Sequence, residues 1–374
     1  MYIKGVGMTK FGVEDRTTQE MAYEAALEAL DDADMSIDDV NAVVVSNEDT
    51  RNNGERQRLA PSIIASIFKI KLPMIRVPAV CGGGGAAFWT ALKLGYDNVL
   101  VVGAERLAAT NTVRVTDDIL MAADRVWEQS EGLIFPAQNA LVAQQHMLKY
   151  GTTTDDFAMV ALKNHENAYL NPKAGFYGKK VTLEDIKKSP VVASPLRLFD
   201  CSYNVNGAAA CIITKDRTDV KVAGSALFTD RLPAFENKDM TTWDASVKAA
   251  DMAYTQAGVS AKDIDFAEVH DAFTPVEIIN YEDLGFCRKG EGAKMIREGV
   301  TKLDGRLPVN TSGGLKAKGH PISATGISQI YEIVKQMRNE CGERQLKNNR
   351  RALAQNIGGA GSTVSVHIFE RVGG

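Results

Sequence analysis

The chain lacks most features that would place it in a specialised class. No apolar stretch approaches the roughly 20 residues a bilayer-spanning helix needs, and no basic region followed by an apolar run opens the sequence, so neither a membrane span nor a secretion signal is expected. Its five cysteines are scattered, without a CxxC pair. That argues against a disulfide framework or a zinc site and for a reducing compartment, most simply the cytoplasm. No basic patch suits nucleic acid: 43 Lys and Arg face 47 Asp and Glu, for a net charge of −4, and the short Lys347–Arg351 run reads as a solvated helix end. Nucleotide fingerprints are missing as well. Gly82–Gly85 has neither the strand, helix and downstream acid of a GxGxxG motif nor the Gly-Lys-Ser/Thr of a P-loop, so no bound cofactor is expected. Histidine is scarce, with five in 374 residues, so few bases compete for a catalytic role.

What is present supports a sizeable core. At 45% hydrophobic residues the chain exceeds one average domain in length and burial capacity. Its most informative stretch is Ala79-Val80-Cys81-Gly82-Gly83-Gly84-Gly85, with an apolar approach, Ile75–Val80, before it and a helix-forming run, Ala86 to Leu94, after it. A helix N-terminus favours negative charge and so favours a thiolate, and glycines leave backbone amides open to a substrate. The segment reads as a nucleophile on a strand-to-helix turn, or equally as a buried thiol beside a flexible one.

A second glycine-flanked stretch tips the balance. His320 stands in Lys318-Gly319-His320-Pro321, ahead of a helical run from Ile327 to Met337. A nucleophilic cysteine needs a base near it in space, not in sequence. Alone, His320 reads as a cap or packing residue; with Cys81 it reads as the base.

The chain also repeats itself. Ala25/Ala249, Ala26/Ala250, Ala29/Ala253, Ala33/Ala257, Ser36/Ser260 and Asp39/Asp263 align without a gap, and Gly7 and Phe11 align with Gly224 and Phe228. Each copy reads as helix, turn, Ser N-cap and strand, Ala42–Ser46 in one and Phe266–His270 in the other. Strands Asn98–Gly103 and Ser362–Glu370 close the two halves. Cys81 and His320 then each precede a helix in their own half, and two facing halves bring those helix starts to one site. Residues 105–200, with Trp127, Pro136, Pro172 and Pro190, read as an inserted lid.

Together these blocks resemble the thiolase superfamily. The resemblance rests on Cys81, the Gly319-His320-Pro321 motif, Val269-His270-Asp271-Ala272-Phe273, Asp200-Cys201-Ser202-Tyr203-Asn204-Val205-Asn206-Gly207 and Asn356-Ile357-Gly358-Gly359-Ala360-Gly361. It is strongest to archaeal and sterol-carrier-protein-type thiolases, where an HD-x-F block replaces NEAF. The resemblance implies an α/β fold of five layers, αβαβα, with two mixed sheets: an N-terminal half over residues 1–217 carrying the lid, and a C-terminal half over 218–374. It also implies an acyltransferase acting on coenzyme A thioesters. Cys81 would carry the acyl group, His320 would take its proton, His270 would serve the second oxyanion site, and the N–H groups of Cys81 and Gly358 would hold the tetrahedral oxyanion. Lid cations, or Lys316 and Lys318, would meet the coenzyme phosphates. A homodimer or dimer of dimers is implied, as is a small zinc-bearing OB-fold partner protein. Short ketoacyl thioesters are the default substrate, while the lid aromatics Trp127, Phe135, Phe157, Tyr169, Phe176 and Tyr177 offer a frame for an aromatic acyl group.

One departure stands out. The second, acid/base cysteine of thiolases is absent from both places where it occurs, which hold Ala272 and Asn356 here, while Cys287 reads as a packing thiol. Three readings follow: a divergent thiolase, a thiolase-like aldolase or C-acyltransferase on an unusual acyl-CoA, and a non-catalytic subunit. Retention of Cys81, His270 and His320 together favours the first.

Overall fold

The structure, a computed structural model, describes residues 1–48, 53–108, 112–233 and 236–373. The chain begins with β1 (Tyr2–Met8), α1 (Thr18–Asp32), β2 (Ala42–Ser46), α2 (Ala60–Phe68), β3 (Met74–Arg76), α3 (Gly83–Lys93) and β4 (Asn98–Arg106). A helical excursion follows, α4 (Thr112–Leu120), α5 (Phe135–Tyr150), α6 (Thr154–Tyr169) and α7 (Leu183–Lys188), with a hairpin of β5 (Val191–Ala193) and β6 (Leu196–Arg197). After β7 (Asn206–Thr214) come β8 (Val220–Thr229), α8 (Asp244–Ala257), β9 (Phe266–Glu268), α9 (Thr274–Asp283), α10 (Gly292–Arg297), α11 (Thr325–Met337), β10 (Arg351–Gly358) and β11 (Thr363–Arg371).

The strands lie in the order β3-β2-β4-β7-β1-β8-β11-β10-β9. β1 and β8 meet only at Tyr2–Lys221 and Ile3–Val220, so the ladder is two mixed sheets fastened at one point. The second repeats the first. β8 stands for β1, β11 for β7, β10 for β4 and β9 for β2, and a parallel bridge from Ala267 to Val309 takes the place of β3. α1 covers β1, β7 and β4, α8 covers β8 and β11, and α3 with α11 lies between the sheets touching strands of both. The result is the expected five-layer stack.

Small residues set the layer spacing. A Cβ on Gly7 would fall 2.1 Å from the Ala25 carbonyl of α1, and one on Gly224 would fall 2.2 Å from the Ala253 carbonyl of α8. Glycine is needed there because helix backbone and strand touch. The repeated serines and aspartates also have one cause. Ser36 with Asp39, and Ser260 with Asp263, close the same capping box on a short 3₁₀ turn that delivers the chain into β2 and β9.

Of the boundaries that differ from the sequence expectation, two have a direct physical cause. α3 starts at Gly83, not Ala86, because its glycines are the helical turn packed on α11. β9 stops at Glu268 because side chains take over the ladder: Val269 N donates to Asn310 Oδ1 at 2.8 Å and His270 N to Gln355 Oε1 at 3.4 Å. Lys347–Arg351 leads into β10 and ends no helix. Among the described residues, no helix is long and apolar enough to cross a membrane.

Candidate active site

A cavity of about 130 Å³ opens where the starts of α3 and α11 converge. Cys81, His270 and His320 all line it. Cys81 sits in a 3₁₀ turn, Val80–Gly82, that runs into α3, and Val80 before it has φ +48°. A β-branched residue in the left-handed region is strained, and that turn aims the Cys81 side chain at the cavity. The glycines behind it do a different job from the one expected. They are buried, and a Cβ on Gly84 would meet Gly326 N at 2.8 Å while one on Gly85 would meet Ser365 Oγ at 2.0 Å. They let two helix backbones touch and do not line the cavity.

His320 hangs from the other helix start. Its Nδ1 lies 2.7 Å from Thr325 Oγ1, while Nε2 is buried with no hydrogen-bond partner. Its ring meets that of His270 edge-on, with centroids 5.5 Å apart. Burial holds the His320 imidazole down to about 3 and pushes His270 well below the usual range, with His320 as a second cause. Both rings are therefore neutral bases at pH 7. Burial also pushes the Cys81 thiol up to about 12, and the Glu48 and Glu105 carboxylates add to the rise. The side chain is half-buried by exposure, yet withdrawn enough from bulk water that the helix start does not produce a resting thiolate. A base must take the proton when substrate arrives.

Three groups to which the sequence assigned no role of their own build this geometry. Asn356, where a cysteine is usual, bridges the halves: its Oδ1 accepts from Gly85 N at 3.1 Å, and its Nδ2 donates to the Cys81 carbonyl at 2.9 Å and lies 3.4 Å from His270 Nδ1. Glu105, wholly buried at the end of β4, accepts from Ser323 Oγ at 2.6 Å and from Glu48 N at 3.0 Å, tying the thiol's surroundings to the His320 loop. Asp271 accepts from Leu315 N at 2.7 Å, Lys316 N at 3.2 Å and Asn164 Nδ2 at 2.9 Å. Next to His270, it thus clamps the π-helical segment Gly314–Lys318 that leads to His320. Burial, and then Glu277, raise its carboxyl to about 7. A charge read along the sequence carries no sign of such partners.

Other expected residues fall elsewhere. Gly358 is not on the wall, but Ile357 and Gly359 are, and a Cβ on Gly82 would lie 2.8 Å from Gly358 N, so the two backbones touch. Lys316 and Lys318 are neither solvated nor placed to meet a phosphate. Both are buried, with Lys316 Nζ donating to the Cys201 carbonyl and Lys318 Nζ to the Ser328 carbonyl at 3.3 Å. Of the lid aromatics only Phe135 lines the cavity; Trp127 is 63% exposed, and Trp243 and Phe273 supply the aromatic wall instead. Cys287 packs against the C-terminal core away from the cavity. Cys201 does line it, a thiol pushed up to about 11 by burial and donating to the Arg197 carbonyl. His146, His165 and His367 are structural: His146 bonds Thr152 and Glu282, His165 packs edge-on against Phe176, and His367 bonds Ser225.

Comparison with known proteins places this geometry. Residues 1–215 match the family description "Thiolase, N-terminal domain", and residues 228–371 match "Thiolase C-terminal domain-like". An acetyl-CoA acetyltransferase of Methanothermobacter thermautotrophicus is 41% identical, over 98% of both chains. Benzoylsuccinyl-CoA thiolase subunit BbsB of Thauera aromatica is 32% identical over 96% of this chain and 95% of its own. Among solved structures, the "Ltp2-ChsH2(DUF35) aldolase" superposes with a TM-score of 0.83 at 27% identity, covering 99% of this chain and 97% of that one. The chain belongs to the thiolase family of acyltransferases.

Proposed function

We propose that the protein is an acyl-CoA C-acyltransferase that makes or cleaves a β-ketoacyl-CoA through an acyl group carried on Cys81. The observation that carries this is the cavity itself, where the Cys81 thiol and two neutral imidazoles meet, one of them with a free ring nitrogen. In cleavage, His320 Nε2 takes the Cys81 proton as the sulfur attacks the 3-keto carbon. The C2–C3 bond breaks, its electron pair passes to C2, and the proton that His320 took from Cys81 goes to C2 to complete the acyl-CoA product. Coenzyme A thiol then attacks the acyl-cysteine, releasing the shortened thioester and returning the proton to Cys81. We assign His270 and the Cys81 amide, on residues that line the cavity, to the oxygens that gain charge.

Intact-protein mass after mixing with acetyl-, succinyl- and benzoyl-CoA tests this. One acyl adduct is expected, absent from Cys81→Ala, and its mass identifies the acyl class. Because the thiol, pushed up to about 12, stays protonated and the His320 imidazole, held down to about 3, stays an unprotonated base throughout, adduct formation should change little from about pH 6 to 9. No adduct with any donor would instead favour the aldolase reading, which needs no acyl-enzyme and which the solved aldolase neighbour supports.

We also infer a homodimer through the β3 edge. β3 is a three-residue outer strand with Ile75 46% exposed, and the apolar helix α2 beside it buries only Ile64 fully. The solved aldolase neighbour pairs two components, Ltp2 and ChsH2(DUF35), and we extend that pairing to a second, non-identical subunit here. Sedimentation of the purified chain checks the dimer; a mass near 40.5 kDa would exclude it.

A further inference from the structure

Asn356 stands between the thiol and the second imidazole, and its bonds decide which nitrogen of His270 carries the ring proton. Its Oδ1 accepts from Gly85 N at 3.1 Å, and one Nδ2 hydrogen goes to the Cys81 carbonyl at 2.9 Å. A main-chain N–H can only donate and a carbonyl can only accept. These two bonds therefore fix the sense of the amide, and it cannot be turned round. The other Nδ2 hydrogen is left for His270 Nδ1, with the two nitrogens 3.4 Å apart.

A neutral imidazole has one donor nitrogen and one acceptor, and burial keeps His270 neutral. Facing an N–H, Nδ1 must be the acceptor, so the proton sits on Nε2. The contact is long and its attraction modest, but the other tautomer would set two N–H groups against each other. That is costly where Asn356 is 1% and His270 3% exposed. The main chain of His270 makes no claim on the ring: its N–H goes to Gln355 and its carbonyl accepts from Asn280. Nε2 has no hydrogen-bond partner among the described residues and keeps accessible surface, on a residue that lines the cavity.

His320 is held differently. Its Nδ1 faces the Thr325 hydroxyl, which can donate or accept, so its Nε2 is free to take up a proton and give it back. The two imidazoles thus differ in kind.

We propose that Asn356 is a positioning residue that holds His270 as the Nε2–H tautomer, making that ring a hydrogen-bond donor to the cavity and leaving the work of a base to His320. The target of the donor, a thioester oxygen that gains charge, rests on the acyl-transfer reading; the tautomer does not.

Histidine labelled with ¹⁵N tests the tautomer directly. In the proton–nitrogen spectrum of the intact protein, bare and protonated ring nitrogens resonate far apart, and five histidines keep the spectrum readable. The signals missing from His270→Gln are those of His270. Its Nδ1 should be bare and its Nε2 protonated; a proton on Nδ1 would overturn the proposal. In Asn356→Asp the carboxylate accepts from Nδ1–H, as in a Ser-His-Asp triad, and the pattern should invert. Thiolysis of a short β-ketoacyl-CoA should then fall about a hundredfold, the cost of one oxyanion donor. Glutamine at position 270 offers an amide N–H near the place of Nε2 and has no tautomer to lose. In that background Asn356→Asp should cost about a tenth as much or less. An equal loss in both backgrounds would make Asn356 a brace alone and sink the idea. A bare Nδ1 in a protein that neither cleaves the thioester nor acylates Cys81 would uphold the tautomer and count against the acyl-transfer reading.

Discussion

Gly326→Ala should lower acyl transfer by about a hundredfold while the chain still folds. The added Cβ would lie 2.3 Å from Gly85 N, 2.5 Å from Asn356 Oδ1 and 2.9 Å from the Gly84 carbonyl carbon. Two of those are backbone and cannot swing aside, so α3 and α11 must separate. Overpacking of this kind costs about 1–3 kcal/mol, within what a folded domain survives. The chemistry is less forgiving. Cys81 rides on one helix start and His320 on the other, and a displacement near 1 Å in a reacting pair costs about a hundredfold. The adduct rate by mass, set beside a urea melt, separates the two effects. A rate within about threefold of the parent would mean that the helix contact does not set the thiol-to-imidazole distance.

Asp271→Ala is expected to cost about 2–5 kcal/mol, the range for leaving two buried backbone donors without their acceptor. The carboxylate is wholly buried and receives two backbone N–H groups and the Asn164 amide. Alanine leaves both backbone donors unmet, while the Asn164 amide keeps Glu277 Oε2 at 2.6 Å. The second consequence is catalytic, because those two amides belong to the segment that carries the chain to His320, whose own N–H reaches the Tyr203 carbonyl at 2.8 Å. Turnover should fall more than substrate affinity. Asp271→Asn keeps one oxygen acceptor and the same volume, so it should recover most of the stability and part of the rate. Equal damage from alanine and asparagine would point to the charge of Asp271 rather than its clamping of that segment.

How much of this could be read beforehand follows from the range over which each signal acts. β2, the two Ser N-caps and the pairing of Cys81 with His320 were legible because each depends on short spacing or on matched copies of one pattern. The start of α3 was not, since glycine is a poor helix former and only contact with α11, more than 200 residues away, makes it the right residue. Lys316 and Lys318 looked solvated because lysine usually is; their burial follows from the Cys201 and Ser328 carbonyls, which sequence cannot bring near. Asn356 marked a missing thiol in the sequence, and only its bonds to Gly85 and Cys81 reveal it as a brace. Trp243 belonged to no motif and became visible once the walls of the cavity were known.

The backbone contact between α3 and α11 also divides the enzyme's freedom to change. With glycine on both faces, the spacing of thiol and imidazole is written in main chain, where side-chain mutation has little to adjust. The aromatic and aliphatic walls are written in side chains on other elements, α5, α9 and the Trp243 turn among them. Helix spacing and cavity shape are thus separately inherited: a lineage, or an engineer, can recut the cavity walls residue by residue without moving the two helix starts that carry Cys81 and His320.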